Sequence, residues 1–487
     1  MPTNPFVTDG TTFIDPAGLA FTLVMGILVV TLPRRYAVFP IIALTCYMTM
    51  GMRVIVLGLN FTMLRILLLF GWTRLLIRGE LRRIRLNQID WAMIWFTFAS
   101  ILTYTLLWGT YDAFKDKLGL VYNALGFYFF FRFVLTEMSD IVRTVKIMAV
   151  LFAPLAGMMI VEKFTGRNSF AIFGGVDPIT TVRDGVLRCQ GPFAHPILAG
   201  TFGATAAPFF VALWRATKGS KVLSLVGLVS AAVITFTSGS SGPVLAFGCG
   251  LVGMAMWTIR RHMRKIRWGL ALGLLFLHFV MKAPVWFLLA RVDVFSGSTG
   301  YHRAYLIDRA IANLSGWWLV GTRSTAAWAD VDSGLFDVTN QYLDYGADGG
   351  LITLFLFIAI MVYAFRAIGR YVRAQDGREP AATFCVWALG AVLFSHIMSY
   401  LSVSYFDQNV VNWYMLLAMV STVAGRYLGA HQRAIRNVQK SETAHSETSE
   451  IVVSQPDVVV QARMYDRVSR MSGYRLEAWI SHCLYRC

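Results

Sequence analysis

Charged residues are scarce in this 487-residue chain, and acidic residues are scarcer than basic ones. Asp, Glu, Lys and Arg make up 15% of the chain, against about a quarter in a soluble domain. Hydrophobic residues reach 56%. So few charges cannot cover a water-facing surface, which predicts that lipid is the solvent. The net charge of +17 does not indicate nucleic-acid binding, because no folded polar domain is present to carry a basic patch.

The sequence also lacks the patterns of zinc or haem binding and of a cleavable signal peptide. Three of its six cysteines, Cys46, Cys249 and Cys385, lie in apolar runs and are predicted to be small core residues. Residues 1–20 contain no Lys or Arg. Because a signal peptide needs a basic start, the first apolar run is predicted to be a retained span.

Long apolar runs dominate the remainder of the chain. A membrane span needs about 20 apolar residues, and about thirteen runs approach that length: 17–33, 36–53, 61–77, 91–108, 118–137, 145–161, 196–214, 222–238, 242–259, 268–290, 350–367, 382–403 and 408–427. The sequence therefore predicts an all-α polytopic membrane protein with about 12–13 transmembrane helices over residues 1–430. A cytoplasmic tail, polar and partly disordered, is predicted over 431–487.

Basic clusters lie in alternate connections between these runs, for example at Arg34-Arg35, at 74–85 and at 260–267. Basic loops stay in the cytoplasm, so the N-terminus is predicted outside and the C-terminus inside. Two long loops, at about 162–195 and 291–349, are then extracytoplasmic. Long loops in compact proteins are commonly functional, so we expect the site there.

Acidic residues are absent from the middle of the predicted spans, which weighs against an ion-coupled transporter. His278, His396 and Asn123 are polar residues at that depth, and each is expected to hydrogen-bond a neighbour. Arg65 lies about one turn inside its span. It either extends to the interface or contacts an anion.

Both predicted outer loops carry arginines: Arg183, Arg188, Arg291 and Arg303. A guanidinium binds phosphate through two parallel hydrogen bonds. A helix that starts near Pro196 would add free N–H groups. These residues predict an anion site, although arginines are also common at membrane boundaries for structural reasons.

Three short stretches carry a resemblance to a known family. They are Arg188-x-x-Gly191-x-Phe193-x-x-Pro196, the Ser/Gly turn at 237–242, and Asn340-x-Tyr342-Leu343 with Asp348 and Gly350. Together with Arg303 before Gly321, their order over roughly residues 90–425 resembles the O-antigen ligase and polysaccharide polymerase family of bacterial inner-membrane proteins. The family's closing His is Thr339 here and the Arg of its central turn is Ser241, which favours a polymerase over a ligase.

The resemblance implies transfer of a glycan from undecaprenyl diphosphate to a sugar hydroxyl at the outer face of the inner membrane. Arginines would neutralise the diphosphate without a metal or cofactor, chiefly Arg188 and Arg303, with Arg183 and Arg291. The candidate general bases are His195, His302 and Asp348. The partners implied are the lipid-linked oligosaccharide and the bilayer, with a chain-length regulator and a flippase.

Three classes of function stay open from the sequence. They are a polymerase or ligase of lipid-linked glycans, a transporter of lipid-linked sugar or a small solute, and a membrane scaffold without catalysis. Substitution of the loop arginines distinguishes them, because only the first class depends on those side chains.

Overall fold

The computed structural model describes residues 12–56, 58–216, 219–291, 300–328 and 338–425. Helices dominate these ranges, and the strands form two short antiparallel hairpins. One pairs β1 (Arg53–Val56) with β2 (Leu59–Thr62), and the other pairs β3 (Thr181–Arg183) with β4 (Val186–Arg188). The predicted tail over 431–487 lies outside the described residues.

Fourteen α-helices form the described part of the chain. In order they are α1 Pro16–Thr31, α2 Phe39–Tyr47, α3 Met63–Ile77, α4 Gln88–Trp108, α5 Tyr111–Val134, α6 Met138–Thr165, α7 Pro196–Ala216, α8 Lys221–Thr237, α9 Ser241–Ala255, α10 Met263–Val280, α11 Gly300–Ala312, α12 Gln341–Gln375, α13 Pro380–Ser399 and α14 over 408–425.

Six helical stretches in the described residues are long and apolar enough to cross a membrane: α4, α6, α7, α9 continued into α10, α12 and α13. Helices α1 and α8 are apolar but shorter. α10 buries none of its residues, and Trp268, Leu272 and Phe276 on it are exposed. An apolar helix without protein around it suits a lipid environment. The chain is thus an all-α membrane protein.

The run at 36–53 differs from its prediction as a span. Its helix, α2, has nine residues, which at 1.5 Å per residue covers less than half of a bilayer core of about 30 Å. The chain then enters the β1–β2 hairpin, because Val54, Ile55 and Val56 are β-branched and Gly58 supplies a left-handed turn residue. An apolar run of this length does not by itself distinguish strand from helix.

Helix α7 lies at the centre of the bundle and packs against α6, α8, α9 and α13. Small residues allow this close approach. A side chain on Gly203 would collide with Ile234 of α8, and one on Gly250 of α9 would press on Pro208 of α7. Such small-residue contacts are typical of helices that pack in lipid.

One end of the bundle is closed by a buried polar network around Asp90, at the start of α4. Arg132 donates to both carboxylate oxygens of Asp90 at 3.1 and 3.2 Å, and the Tyr128 hydroxyl donates at 2.5 Å. Asn87 caps α4 and reaches Ser421 of α14 at 2.6 Å. This network joins α4, α5 and α14 at their shared end.

The opposite end, here called the loop end, gathers the segments between helices. Gln341 N–H donates to the Tyr400 carbonyl, and Ser404 Oγ donates to the Val338 carbonyl. Gln408 Nε2 donates to the carbonyls of Met48 and Pro192, both at 3.1 Å. Both predicted loop segments therefore meet the segment over 400–408 at one end of the bundle.

The polar residues predicted at membrane depth are hydrogen-bonded, as expected. Asn123 Oδ1 accepts from Arg65 Nε at 3.1 Å, which joins α5 to α3. His396 Nδ1 lies 2.8 Å from the Tyr405 hydroxyl, and His278 Nδ1 accepts from the Val285 N–H.

Candidate active site

The first predicted loop is built around the β3–β4 hairpin. Its turn is Asp184-Gly185, both with positive φ, which is the preferred two-residue hairpin turn. The register pairs Thr181 with Arg188 and Arg183 with Val186. Because side chains alternate along a strand, Arg183 and Arg188 share one face of the hairpin.

That face lies against the turn between α8 and α9. Arg188 Nη2 donates to Ser240 Oγ at 2.7 Å, and Cys189 N–H donates to the Thr237 carbonyl at 3.1 Å. Gly239 has φ +56°, and a side chain there would press on Arg188 Cγ. Two of the three stretches that carry the family resemblance are thus in direct contact.

Arg303 comes to the same place from helix α11. A methyl group added to Gly242 would collide with Ser402 Oγ and lie 3.8 Å from Arg303 Nη2. The Nε atoms of Arg188 and Arg303 are buried and have no hydrogen-bond partner in the described part of the chain. No described Asp or Glu forms an ion pair with either guanidinium.

The three arginines repel one another. Burial, and then the charges of Arg183 and Arg188, lower the pKa of Arg303 to about 10. Burial and the charge of Arg183 lower the pKa of Arg188 as well, although Asp184 opposes this. Arg183 pairs with Asp184 at 3.6 Å, whereas the guanidinium groups of Arg188 and Arg303 have no ion pair with a described carboxylate. The cluster therefore keeps an excess of positive charge, which suits an anion from outside the chain.

His195 lies beside this cluster, but its ring is poorly suited to be a base. Loss of hydration, followed by the charges of Arg188 and Arg183, lowers its pKa below the ordinary histidine value, so the ring, although His195 is exposed, is neutral at neutral pH. Its Nδ1 accepts from the Ile197 N–H at 3.2 Å. A neutral ring that accepts at Nδ1 carries its hydrogen on Nε2. His195 in this state can donate to a substrate oxygen and caps the start of α7.

Gly191 shapes the loop through its φ of +56°. Glu162, at the end of α6, holds this turn: its buried carboxylate accepts from Gln190 N–H at 3.0 Å, Gly191 N–H at 2.9 Å and the Thr180 hydroxyl at 3.2 Å. Asn168 donates to the Gly191 carbonyl at 2.7 Å. No role for Glu162 was predicted, because its only signal in the sequence is a carboxylate directly after an apolar run.

Pro196 is the first residue of α7, where its missing N–H costs nothing. Asn340 caps α12 by accepting from the N–H groups of Tyr342 and Leu343. The Tyr342 hydroxyl donates to the Ile397 carbonyl at 3.2 Å. These three predicted motif residues therefore have structural roles in the described contacts.

Gly350 kinks α12 with φ +72° and ψ −168°, a conformation open in practice only to glycine. A side chain there would collide with the Leu319 carbonyl. The Leu351 N–H donates to the Trp318 carbonyl at 2.8 Å. Gly350 thus fixes the 317–321 segment against α12.

Two predicted residues show no described contact with the arginine cluster. His302 is buried with both ring nitrogens unpartnered among the described residues, and neighbours on a helix point about 100° apart, so it does not share the direction of Arg303. Arg291 is exposed, at the end of a 3₁₀ helix over Val285–Arg291. Thr339, at the place of the family's His, has a buried hydroxyl without a partner in the described ranges.

Asp348 is bound to Lys117 of α5 in an ion pair. It belongs to a cavity of about 220 Å³ that the sequence did not predict. The wall combines charges of both signs with aromatic rings: Arg65, Lys117, Asp344, Asp348, Asp407 and Tyr345. These residues come from α3, α5, α12 and the start of α14, so no local motif announces them.

The resemblance implies a site that works without a metal. The second predicted loop nevertheless contains a pattern that could bind a cation. Asp330 and Asp332 form an Asp-x-Asp pair, a common cation-binding pattern, in the second predicted loop. Both residues lie outside the described ranges.

Comparison with known protein families and with curated proteins gives no match to this chain.

Proposed function

We propose that this protein is a membrane-embedded glycan polymerase. It takes a glycan from undecaprenyl diphosphate and joins it to a sugar hydroxyl, in the synthesis of an exopolysaccharide or O-antigen. The observation that carries the proposal is the convergence of two segments: the β3–β4 hairpin, which carries Arg183 and Arg188, and helix α11, which carries Arg303. A diphosphate leaving group gains negative charge as its bond to the sugar breaks, and a preformed cluster of cations stabilises that charge.

The surroundings of the cluster suit a lipid-linked donor. The arginines lie at the end of an apolar bundle, so a polyprenyl tail can stay in the bilayer while its diphosphate reaches them. The proposal places the loop end outside a bacterial inner membrane, the N-terminus outside and the C-terminus inside. It also includes about thirteen spans, in which α2 covers only part of one crossing and the extended chain that starts at Met48 continues it. The regular alternation of basic connections supports this orientation.

The direct test uses purified protein in lipid nanodiscs with a lipid-linked oligosaccharide from the producing cells. Mass spectrometry should find longer glycans on the lipid carrier. Arg188→Ala and Arg303→Ala should each slow transfer by about 10²-fold or more, since each removes a donor to developing charge. Arg309→Ala is the control, because Arg309 is exposed on the same helix as Arg303. Equal transfer by all four proteins would contradict the proposal.

A ligase is the nearest alternative, and it would move the glycan to a different acceptor instead of lengthening it on the carrier. A transporter of lipid-linked sugar or a small solute is favoured by one observation, the cavity between helices that contains Arg65 and Asp407. Charges inside a helical membrane protein often line a solute path. Flux of lipid-linked sugar across vesicles, retained in Arg188→Ala and lost in Arg65→Ala, would favour the transporter.

A further inference from the structure

The cavity at the loop end has the lining of a carbohydrate site. Its volume of about 220 Å³ far exceeds the ~30 Å³ of one water in the liquid, so a sugar-sized group fits. Tyr345, Phe96 and Phe406 give it aromatic walls, and Gln341 and Asn123 give it amides. Aromatic faces with a few fixed polar groups are the usual lining of small-molecule sites.

Most of the charged groups in the cavity are bound to protein partners. Lys117 is paired with Asp348. Asp344 accepts from Gln341 Nε2 at 3.2 Å. Arg65 donates to the Asn60 carbonyl and to Asn123. Asp407 alone among these carboxylates has no hydrogen bond or ion pair with any described residue.

The backbone holds Asp407 in an unusual conformation. Its φ is +54°, and Asp184 is the only other non-glycine residue with positive φ in the described ranges. Asp tolerates this region better than most residues, at a modest cost. Strained backbone of this kind is often found at functional sites.

Asp407 lies next to the segments that build the arginine cluster. Its neighbour Gln408 donates to the Pro192 carbonyl, four residues after Arg188. Five residues before it, Ser402 lies against Gly242 beside Arg303. The segment over 402–408 therefore contacts the segments of the arginine cluster through Ser402 and Gln408, and it lines the cavity with Asp407.

We infer that this cavity binds the acceptor sugar of the transfer reaction and that the Asp407 carboxylate is its general base. The inference rests on the proposed function and adds to it a second substrate site, separate from the diphosphate site. It also supplies a general base, since Asp348 is paired with Lys117 and the neutral His195 ring already accepts a hydrogen bond at Nδ1.

The chemical step balances with the two sites together. Asp407 takes the proton from an acceptor hydroxyl, and that oxygen forms a bond to the anomeric carbon of the donor glycan. The bond from that carbon to the diphosphate oxygen breaks, and its electron pair leaves on the diphosphate. Arg188 and Arg303 stabilise the leaving group, and the products are one glycosidic bond and free undecaprenyl diphosphate.

The ionisation of Asp407 suits this role. Burial raises its pKa to about 7, although the nearby charge of Arg65 opposes the rise. A base is most effective when its pKa is near the working pH. The titratable and charged groups that face the cavity with it are Arg65 on α3, Lys117 on α5, Asp344, Tyr345 and Asp348 on α12, Tyr405 before α14, and Tyr414 on α14.

The test compares wild type with Asp407→Asn, Asp407→Glu and the exposed control Asp177→Asn. Asn tolerates positive φ as Asp does, so the backbone should be kept. Two measurements are made in nanodiscs: the rate of transfer from the lipid-linked donor between pH 5 and 9, and the thermal shift on adding undecaprenyl diphosphate.

We expect Asp407→Asn to slow transfer by about 10²-fold or more while it keeps the full thermal shift. Wild-type transfer should fall about tenfold per pH unit below 7, and Asp407→Asn should lose this dependence. Asp407→Glu should recover part of the rate. If Asp407→Asn transfers glycan at the wild-type rate, or with the wild-type pH dependence, the inference is overturned. The proposed polymerase function is unaffected by that result. No transfer by wild type overturns the proposed function and this inference with it.

Discussion

The charge of Arg303 should destabilise the folded protein although it supports catalysis. Removing this charge should therefore raise stability and lower activity. Its pKa falls well below the ordinary value of a guanidinium, to about 10, because the side chain is largely buried and lies near the charges of Arg183 and Arg188. A tenfold change in a protonation equilibrium is about 1.4 kcal/mol. After solvent screening of a partly exposed group, the charged side chain costs the folded state about 1–3 kcal/mol at all pH values well below 10.

Arg303→Met removes the charge and keeps most of the apolar stem. We therefore expect the variant to unfold at a temperature a few degrees above that of wild type, while glycan transfer is lost. Arg309→Met is the matched control on the same helix. Arg309 is exposed over the ring of Tyr305, and its replacement should change stability by less than about 0.5 kcal/mol.

Melting measured with added undecaprenyl diphosphate tests why the charge of Arg303 destabilises the folded protein. Undecaprenyl diphosphate at 100 times its dissociation constant should stabilise wild type by about 2.7 kcal/mol, and should not stabilise Arg303→Met. A variant that melts several degrees below wild type, and is still stabilised by the ligand, would refute the reasoning. Arg303 would then be a structural residue.

Three further predictions concern the frame around the site. Glu162→Gln should lower stability by about 1.5–3 kcal/mol and weaken undecaprenyl diphosphate binding, since an amide cannot accept from both sides of the Gly191 turn; unchanged melting and binding would contradict this. Gly350→Ala should prevent accumulation of folded protein, measured by fluorescent size-exclusion chromatography, whereas Gly269→Ala, with open space around it, should not. Asp90→Asn should cost about 3–5 kcal/mol by leaving Arg132 buried and unpaired, and adding Arg132→Met should restore much of it; no recovery would count against the ion pair.

The composition is enough to predict a membrane protein, because helices that cross lipid need long apolar runs. Runs such as 196–214 became α7 with its ends displaced by only a few residues. The bounds predicted from the run at 350–367 are less accurate. Its helix starts at Gln341, because Asn340 caps the helix there and Gly350 kinks it without ending it. Polar residues in the first turns of a long helix resemble a loop to any measure of hydropathy.

The arginine cluster was partly predictable, whereas the cavity was not. Arg183, Arg188 and Arg303 stand out in the sequence as cations in long polar connections. Asp407 carries no such signal, because it is a single charge beside an apolar run. Lys117 is one of four charged residues over 112–117, and nothing in the sequence distinguishes it from the other three. Their meeting depends on how α5, α12 and α14 pack, and a pairing across 231 residues, such as Lys117 with Asp348, has no local pattern.

The central claim is that each glycosidic bond forms as the bond between a sugar and its diphosphate carrier breaks. The ratio of released undecaprenyl diphosphate to new glycosidic bonds tests this claim most directly. Purified protein in nanodiscs would be given a lipid-linked oligosaccharide, and free undecaprenyl diphosphate would be counted with new glycosidic bonds by mass spectrometry. The account predicts one carrier released for each bond formed, with both lost in Arg303→Ala. Carrier release without bond formation, or neither product across several donors, would contradict it.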